Sequence, residues 1–146
     1  MFSPDNSKVV YSAISGSTYH IFTKNSDGSG SEIQISDSST TLNLSPTFSP
    51  DGSKIAWYGR DTNNIYHIYV RNSDGSGTIT KISGTTTNNF NPSFSPDGSK
   101  IVWQGEESGV KHIYVRNSDG SGTITKLSNT TTDNQKPLYE GARNIF

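Results

Sequence analysis

The chain has 146 residues, a formal net charge of −1, no cysteine and only 29% hydrophobic residues. That length points to one domain, and the missing cysteines exclude disulfides, thiolate metal sites and cysteine nucleophiles. Charge near zero offers no field that would recruit nucleic acid or acidic lipid, and no apolar run approaches the ~20 residues that span a bilayer.

The first repeat opens on Phe2-Ser3-Pro4-Asp5, so structured sequence begins at once and no secretory leader is expected. The same turn recurs at Phe48 and Phe94, with a spacing of 46 residues both times. His-Ile-aromatic recurs at His20, His67 and His112, and Asn-Ser-Asp-Gly-Ser-Gly at Asn25, Asn72 and Asn117. A proline precedes the turn motif at Pro46 and Pro92 and reappears at Pro137. A period of about 45 residues is that of one propeller blade.

The second repeat reads as four strands. Residues 45–48 are a short strand A, and 49–53 a tight turn in which Pro50 fixes φ and Gly52 is free to take positive φ. Residues 54–58 are strand B, 66–71 strand C, rich in β-branched and aromatic residues, and 78–83 strand D, with period-two alternation. Between C and D, Asp-Gly within 72–77 reads as a hairpin rather than a calcium loop, because carboxylates and a closing Glu are missing. A Thr/Asn-rich connection leads into the third repeat. Residues 67–81 and 112–126 are identical, as are 48–55 and 94–101, which points to a recent duplication or a designed repeat.

These residues, namely F-S-P-D-G, then I-x-aromatic, then I-Y-V, then D-G and a Leu/Ile-Ser pair, resemble the blade repeat of TolB-like propellers. The resemblance implies an all-β fold of three four-stranded blades, a bacterial periplasmic or extracellular setting, and a role in contacting other proteins, as TolB itself contacts a lipoprotein in the bacterial envelope. Blade 1 is expected over about 2–44 without its own strand A, blade 2 over about 45–90, and blade 3 over about 91–134. An orphan strand A at about 135–139 and a tail at 140–146 complete the single repeat domain. Propellers have about 4–8 blades, so two copies are expected to form a homodimeric six-bladed ring. Pro137, Leu138 and Tyr139 of each chain would complete the first blade of the other.

No catalytic residue, cofactor or metal is expected. The histidines sit at equivalent points of strand C, where symmetry would hold them apart. Asp5, Asp51 and Asp97 read as turn residues, and Trp57 and Trp103, with Tyr11 in the first repeat, as inter-blade packing. There is no G-x-S-x-G elbow, phosphate loop or H-E-x-x-H motif. The A–B and C–D turns are near-identical between repeats, whereas the B–C and D–A loops differ, and varied loops are where recognition can live. The candidate binding face therefore carries Arg60, Asp61, Asn63, Asn89, Phe90, Glu106, Glu107, Asp133 and Asn134, with Phe90 as an exposed anchor. The partner would be a protein or peptide on that face. A purely self-assembling module and a glycan-binding propeller are the alternatives.

Overall fold

The computed structural model describes residues 1–84 and 87–128. Every regular element among them is a strand. Blade 1 holds β1 (Lys8–Ser15), β2 (Thr18–Asn25) and β3 (Ile33–Gln34). Blade 2 holds β4 (Thr41–Phe48), β5 (Lys54–Arg60), β6 (Tyr66–Asn72) and β7 (Thr80–Lys81). Blade 3 holds β8 (Asn89–Phe94), β9 (Lys100–Glu107), β10 (Val110–Asn117) and β11 (Thr125–Lys126). Each blade is an antiparallel meander in chain order.

Among the described residues blade 1 is three-stranded. Met1 and Phe2 lie along the outer edge of β1, through a bridge from Phe2 to Val9 and the bond from the Val10 N–H to the Met1 carbonyl. The segment 135–139 lies outside the described residues.

The turn chemistry follows from the side chains. In the Ser49–Ser53 turn, Asp51 accepts from the Ser49 hydroxyl at 2.6 Å and from the Ser53 N–H at 3.0 Å. These bonds, the Ser49 hydroxyl first, hold its carboxyl down at about 2, and Asp5 and Asp97 behave alike. Gly52 and Gly98 take positive φ, and Asn6 does so in the first copy. The Asn-Ser-Asp-Gly loop is a hairpin, with the Gly75 N–H bonded to the Asn72 carbonyl and the Ser76 N–H to the Asp74 carboxylate.

Two strands depart from the sequence reading. Strand A begins at Thr41 rather than at residue 45, and a bulge interrupts its pairing with β5 between Leu44 and Thr47. Ser45 and its counterpart Asn91 adopt positive φ just before Pro46 and Pro92. Such a bulge lets one strand bend away from its partner. Strand D has two residues where six were expected. At its C-terminal end the ladder stops after the Ile82 N–H bonds the Ile68 carbonyl, because the Ile68 N–H bonds the Ser83 hydroxyl at 2.9 Å instead of a backbone carbonyl.

The core lies between blades, not within them. Val10, Ile21 and Ile35 on the back of blade 1 meet Phe48, Ile55, Trp57 and Tyr69 on the front of blade 2. Ala56, Ile68, Val70 and Ile82 on the back of blade 2 meet Phe94, Ile101 and Trp103 of blade 3. A half-buried, alternating strand thus serves two interfaces, one per face. That is how a chain with so few apolar residues still forms two closed cores.

Candidate functional site

One asparagine ties each pair of blades together. Asn43 is fully buried. Its Oδ1 accepts from the Trp57 indole N–H at 2.9 Å and from the Thr40 hydroxyl at 2.7 Å. Its Nδ2 donates to the Tyr19 carbonyl of blade 1 at 3.0 Å. Asn89 repeats this with Trp103 at 2.8 Å and the Tyr66 carbonyl at 3.2 Å. Each asparagine therefore staples the tryptophan of its own blade to the backbone of the blade before. Glycine makes room for it: a Cβ on Gly59 would stand 2.4 Å from Asn43 Oδ1, and one on Gly105 3.0 Å from Asn89 Oδ1. Asn89 was placed on the recognition face by sequence; its amide is spent on the staple. Asn43 heads a glycosylation tripeptide, but its burial removes it from any modifying enzyme in the folded chain.

Arginine forms a second tie. Arg71 reaches the Ile35 carbonyl of blade 1 at 2.8 Å, and Arg116 the Ile82 carbonyl of blade 2 at 2.9 Å.

The three histidines are buried, and each meets a serine at the end of strand D. His20 Nδ1 lies 3.1 Å from Ser36, His67 Nδ1 3.4 Å from Ser83, and His112 Nδ1 3.3 Å from Ser128. Among the described residues a carboxylate completes the series in blade 2, with His67 Nε2 at 3.1 Å from Asp61. Burial, then the nearby Lys81, pushes the His67 pKa down, with Asp61 opposing. Burial alone would raise Asp61; the N–H groups of Ile65 and Asn63, with His67, hold it below its ordinary value instead. The Ser83–His67–Asp61 chain has the order of a nucleophilic triad. Its serine, however, is 1% exposed and accepts the Ile68 N–H, as the matching serines accept Ile21 and Ile113. A nucleophile needs reach to substrate, and this arrangement locks strand C to strand D.

The other predicted face residues are spread along the B–C and D–A rim. Arg60 Nε donates to Thr41 Oγ1 at 3.4 Å. Asn63 is exposed, with its N–H on Asp61. Phe90 is half-buried rather than a projecting anchor, because it packs against Tyr58 and Tyr66 with centroids 5.3 and 5.2 Å away. Glu106 borders a shallow hollow of about 250 Å³ with Asn64, Ile65, Asn88 and Ser108. Asp133, Asn134, Pro137, Leu138 and Tyr139 lie outside the described residues.

Larger cavities went unread in the sequence. A cleft of about 400 Å³ between blades 2 and 3 is lined by Gly84, Trp103, Tyr114, Ile124, Glu107 and Lys126, among others. On its rim Lys126 pairs with Glu107 at 2.6 Å, and Tyr114 donates to the same carboxylate at 3.2 Å. Lys126 first, then Tyr114, lowers the Glu107 pKa, while burial, then Glu107, raises that of Tyr114. A hollow of about 460 Å³ collects Phe2, Pro4, Phe48, Pro50, Phe94 and Pro96 at the uniform A–B turns. It is the more apolar of the two, and its walls come from the same turn repeated three times. Their sequence signal was present as the repeated Phe-Ser-Pro, but read only as turn chemistry.

The chain resembles a protein described as TolB from Agrobacterium tumefaciens, at 24% identity and a TM-score of 0.72, over 86% of this chain and 46% of that one. TolB from Acinetobacter baumannii gives 19% identity and a TM-score of 0.57, over 90% and 43%. A puromycin-hydrolyzing peptidase from Mycobacterium tuberculosis gives 18% identity and 0.71, over 89% and 23%. The chain thus spans about half, or less, of the length of these structures. None of the curated proteins compared with it matches. The sequence profile of the TolB beta propeller domain covers residues 1–144. With its three blades in phase, the chain belongs to the TolB beta propeller domain family.

Proposed function

We propose that the chain is a non-catalytic propeller scaffold that associates with a second copy to close a six-bladed ring and presents its loop face to a protein or peptide. One observation carries the self-association. On the two end blades, single apolar residues stand exposed at positions that are buried inside the chain. Leu127 is 53% exposed, while its counterparts Ile35 and Ile82 are 0%, and Phe2 is 58% exposed against 4% for Phe48. Apolar surface of that kind is a cut interface. Three blades fall short of the usual ring, and two sets of three reach it.

Within this reading, the residues that complete blade 1 come from the second copy. Paired edges also remove a template for aggregation. Light scattering on the purified chain tests the ring. The expected mass is twice the 15.8 kDa of one chain, and a stable monomer at high concentration overturns it. Turnover of a broad panel of esters and peptides would overturn the non-catalytic part.

The cleft beside Tyr114 favours a second reading, glycan binding, since aromatic and charged groups share its walls. Binding on a glycan array that Tyr114→Ala abolishes would support it, and an empty array would exclude it.

A further inference from the structure

We infer that the crevice between blades 1 and 2 is a binding site for a small carboxylic acid, whose carboxylate is gripped by the Tyr69 hydroxyl and the Lys81 ammonium. The site is independent of ring closure and lies in a different crevice from the cleft beside Tyr114.

The chain carries its own precedent. Residues 67–81 and 112–126 are identical, so Tyr69 with Lys81 repeats Tyr114 with Lys126. Each pair stands directly cross-strand, on β6 and β7 in blade 2 and on β10 and β11 in blade 3. In blade 3 the pair closes on a carboxylate. Lys126 Nζ donates to Glu107 at 2.6 Å, and the Tyr114 hydroxyl donates to the same oxygen at 3.2 Å. The matching position in blade 2 is Asp61, each acid lying four residues after the tryptophan of its blade. Aspartate is one methylene shorter, and its carboxylate is taken by the N–H groups of Asn63 and Ile65 and by His67. Among the described residues, the Tyr69 hydroxyl therefore has no hydrogen-bond partner, and Lys81 has neither a hydrogen bond nor an ion pair. Tyr69 is only 8% exposed, and a tyrosine hydroxyl that deep usually finds a partner. Blade 1 has Phe22 opposite Gln34 at these positions and cannot form the pair.

Tyr69 and Lys81 line one hollow of about 370 Å³, together with Ile79, Arg71 and Asp37. That volume falls in the range of small-molecule pockets, about 300–1,000 Å³. Arg71 is fixed by the Ile35 and Gly77 carbonyls and adds positive charge to the wall. Ile79 offers an apolar surface to a short hydrocarbon flank. Asp37 is bonded to Ser39, and its negative charge opposes a dianion. The balance selects a monocarboxylate over phosphate.

Propionate titrated into the purified chain, followed by NMR of the Tyr69 ring and the Lys81 side chain, tests this. Two charge-assisted bonds at a rim put the Kd on the order of millimolar. Propionamide, which lacks the charge, should leave the signals in place, and phosphate should move them far less. Tyr69→Phe should weaken propionate roughly tenfold. Lys81→Met, at an exposed position, should abolish the response. Glu107→Ala, also at an exposed position, should release Tyr114 and Lys126 and create a second site of the same kind in blade 3. Circular dichroism checks that each variant is folded, and a misfolded Tyr69→Phe leaves the decision to the two exposed positions. No saturable shift up to about 100 mM propionate, equal shifts with propionamide or phosphate, or a Glu107→Ala chain that gains no second response would each overturn the inference.

Discussion

Asn43→Ala should unfold the chain at markedly lower urea. The amide of Asn43 satisfies the Trp57 N–H, the Thr40 hydroxyl and the Tyr19 carbonyl inside a site with no exposure. Truncation strands them. The Thr40 hydroxyl can rotate to another acceptor and the Tyr19 carbonyl lies at a part-buried place, which leaves the Trp57 N–H buried and unpaired at about 1–3 kcal/mol. With the bond to Tyr19 also lost, the total should be about 2–3 kcal/mol, a large part of the stability of a small domain. Trp57→Phe removes the orphaned donor. Combined with Asn43→Ala it should cost about 1–2 kcal/mol less than the sum of the single changes. Equilibrium urea unfolding at one fixed protein concentration reads all four corners of the cycle. Additivity within about 0.5 kcal/mol would refute the staple, as would a loss below about 1 kcal/mol for Asn43→Ala.

Gly75→Ala should be more harmful than Gly16→Ala by thermal melting. Both glycines have positive φ, which costs an alanine about 1–2 kcal/mol. A Cβ on Gly75 also comes within 2.8 Å of Ile33 in blade 1, whereas one on Gly16 meets nothing; equal melting shifts would contradict the close approach of the blades. Stability should fall as pH drops below about 6.5, because the folded His67 pKa lies under the unfolded one and the unfolded chain takes the proton first. His67→Gln should flatten that part of a urea-midpoint profile against pH. A further loss should follow between about pH 4 and 2, where Asp5, Asp51 and Asp97 give up carboxylates held down to about 2; a profile level in that range would count against the turn bonds.

The blade order was legible because its signals are local. Pro50 and Gly52 mark one turn, Asp74 and Gly75 another, and the apolar alternation between them fixes which residues face a neighbour. The bulge at Ser45 was not legible, since a serine at positive φ carries no sign of it in the sequence. Strand D read too long for a similar reason. Its shortening depends on Ser83 bonding Ile68, a residue 15 positions away that lies on the neighbouring strand. The staple was the hardest to see. Asn43 and Asn89 sit in Thr/Asn-rich stretches that look like solvated loops, and only the fold brings an indole and a carbonyl from the preceding blade to them. Phe90 misled in the opposite direction, because Tyr58 and Tyr66 belong to another blade and cover it.

The front and back of a blade are unlike, with a Trp and a Tyr on one side and small aliphatic residues on the other. Stacking is therefore polar, like links that join only hook to eye. A stack of two, three or five such units ends in the same pair of unlike surfaces. Adding or deleting one repeat changes nothing in the chemistry of the ends. What selects a blade count is then the angle each unit turns through, about a sixth of a circle for the proposed closure. A family built this way can grow by copying a segment of about 46 residues without inventing a new contact.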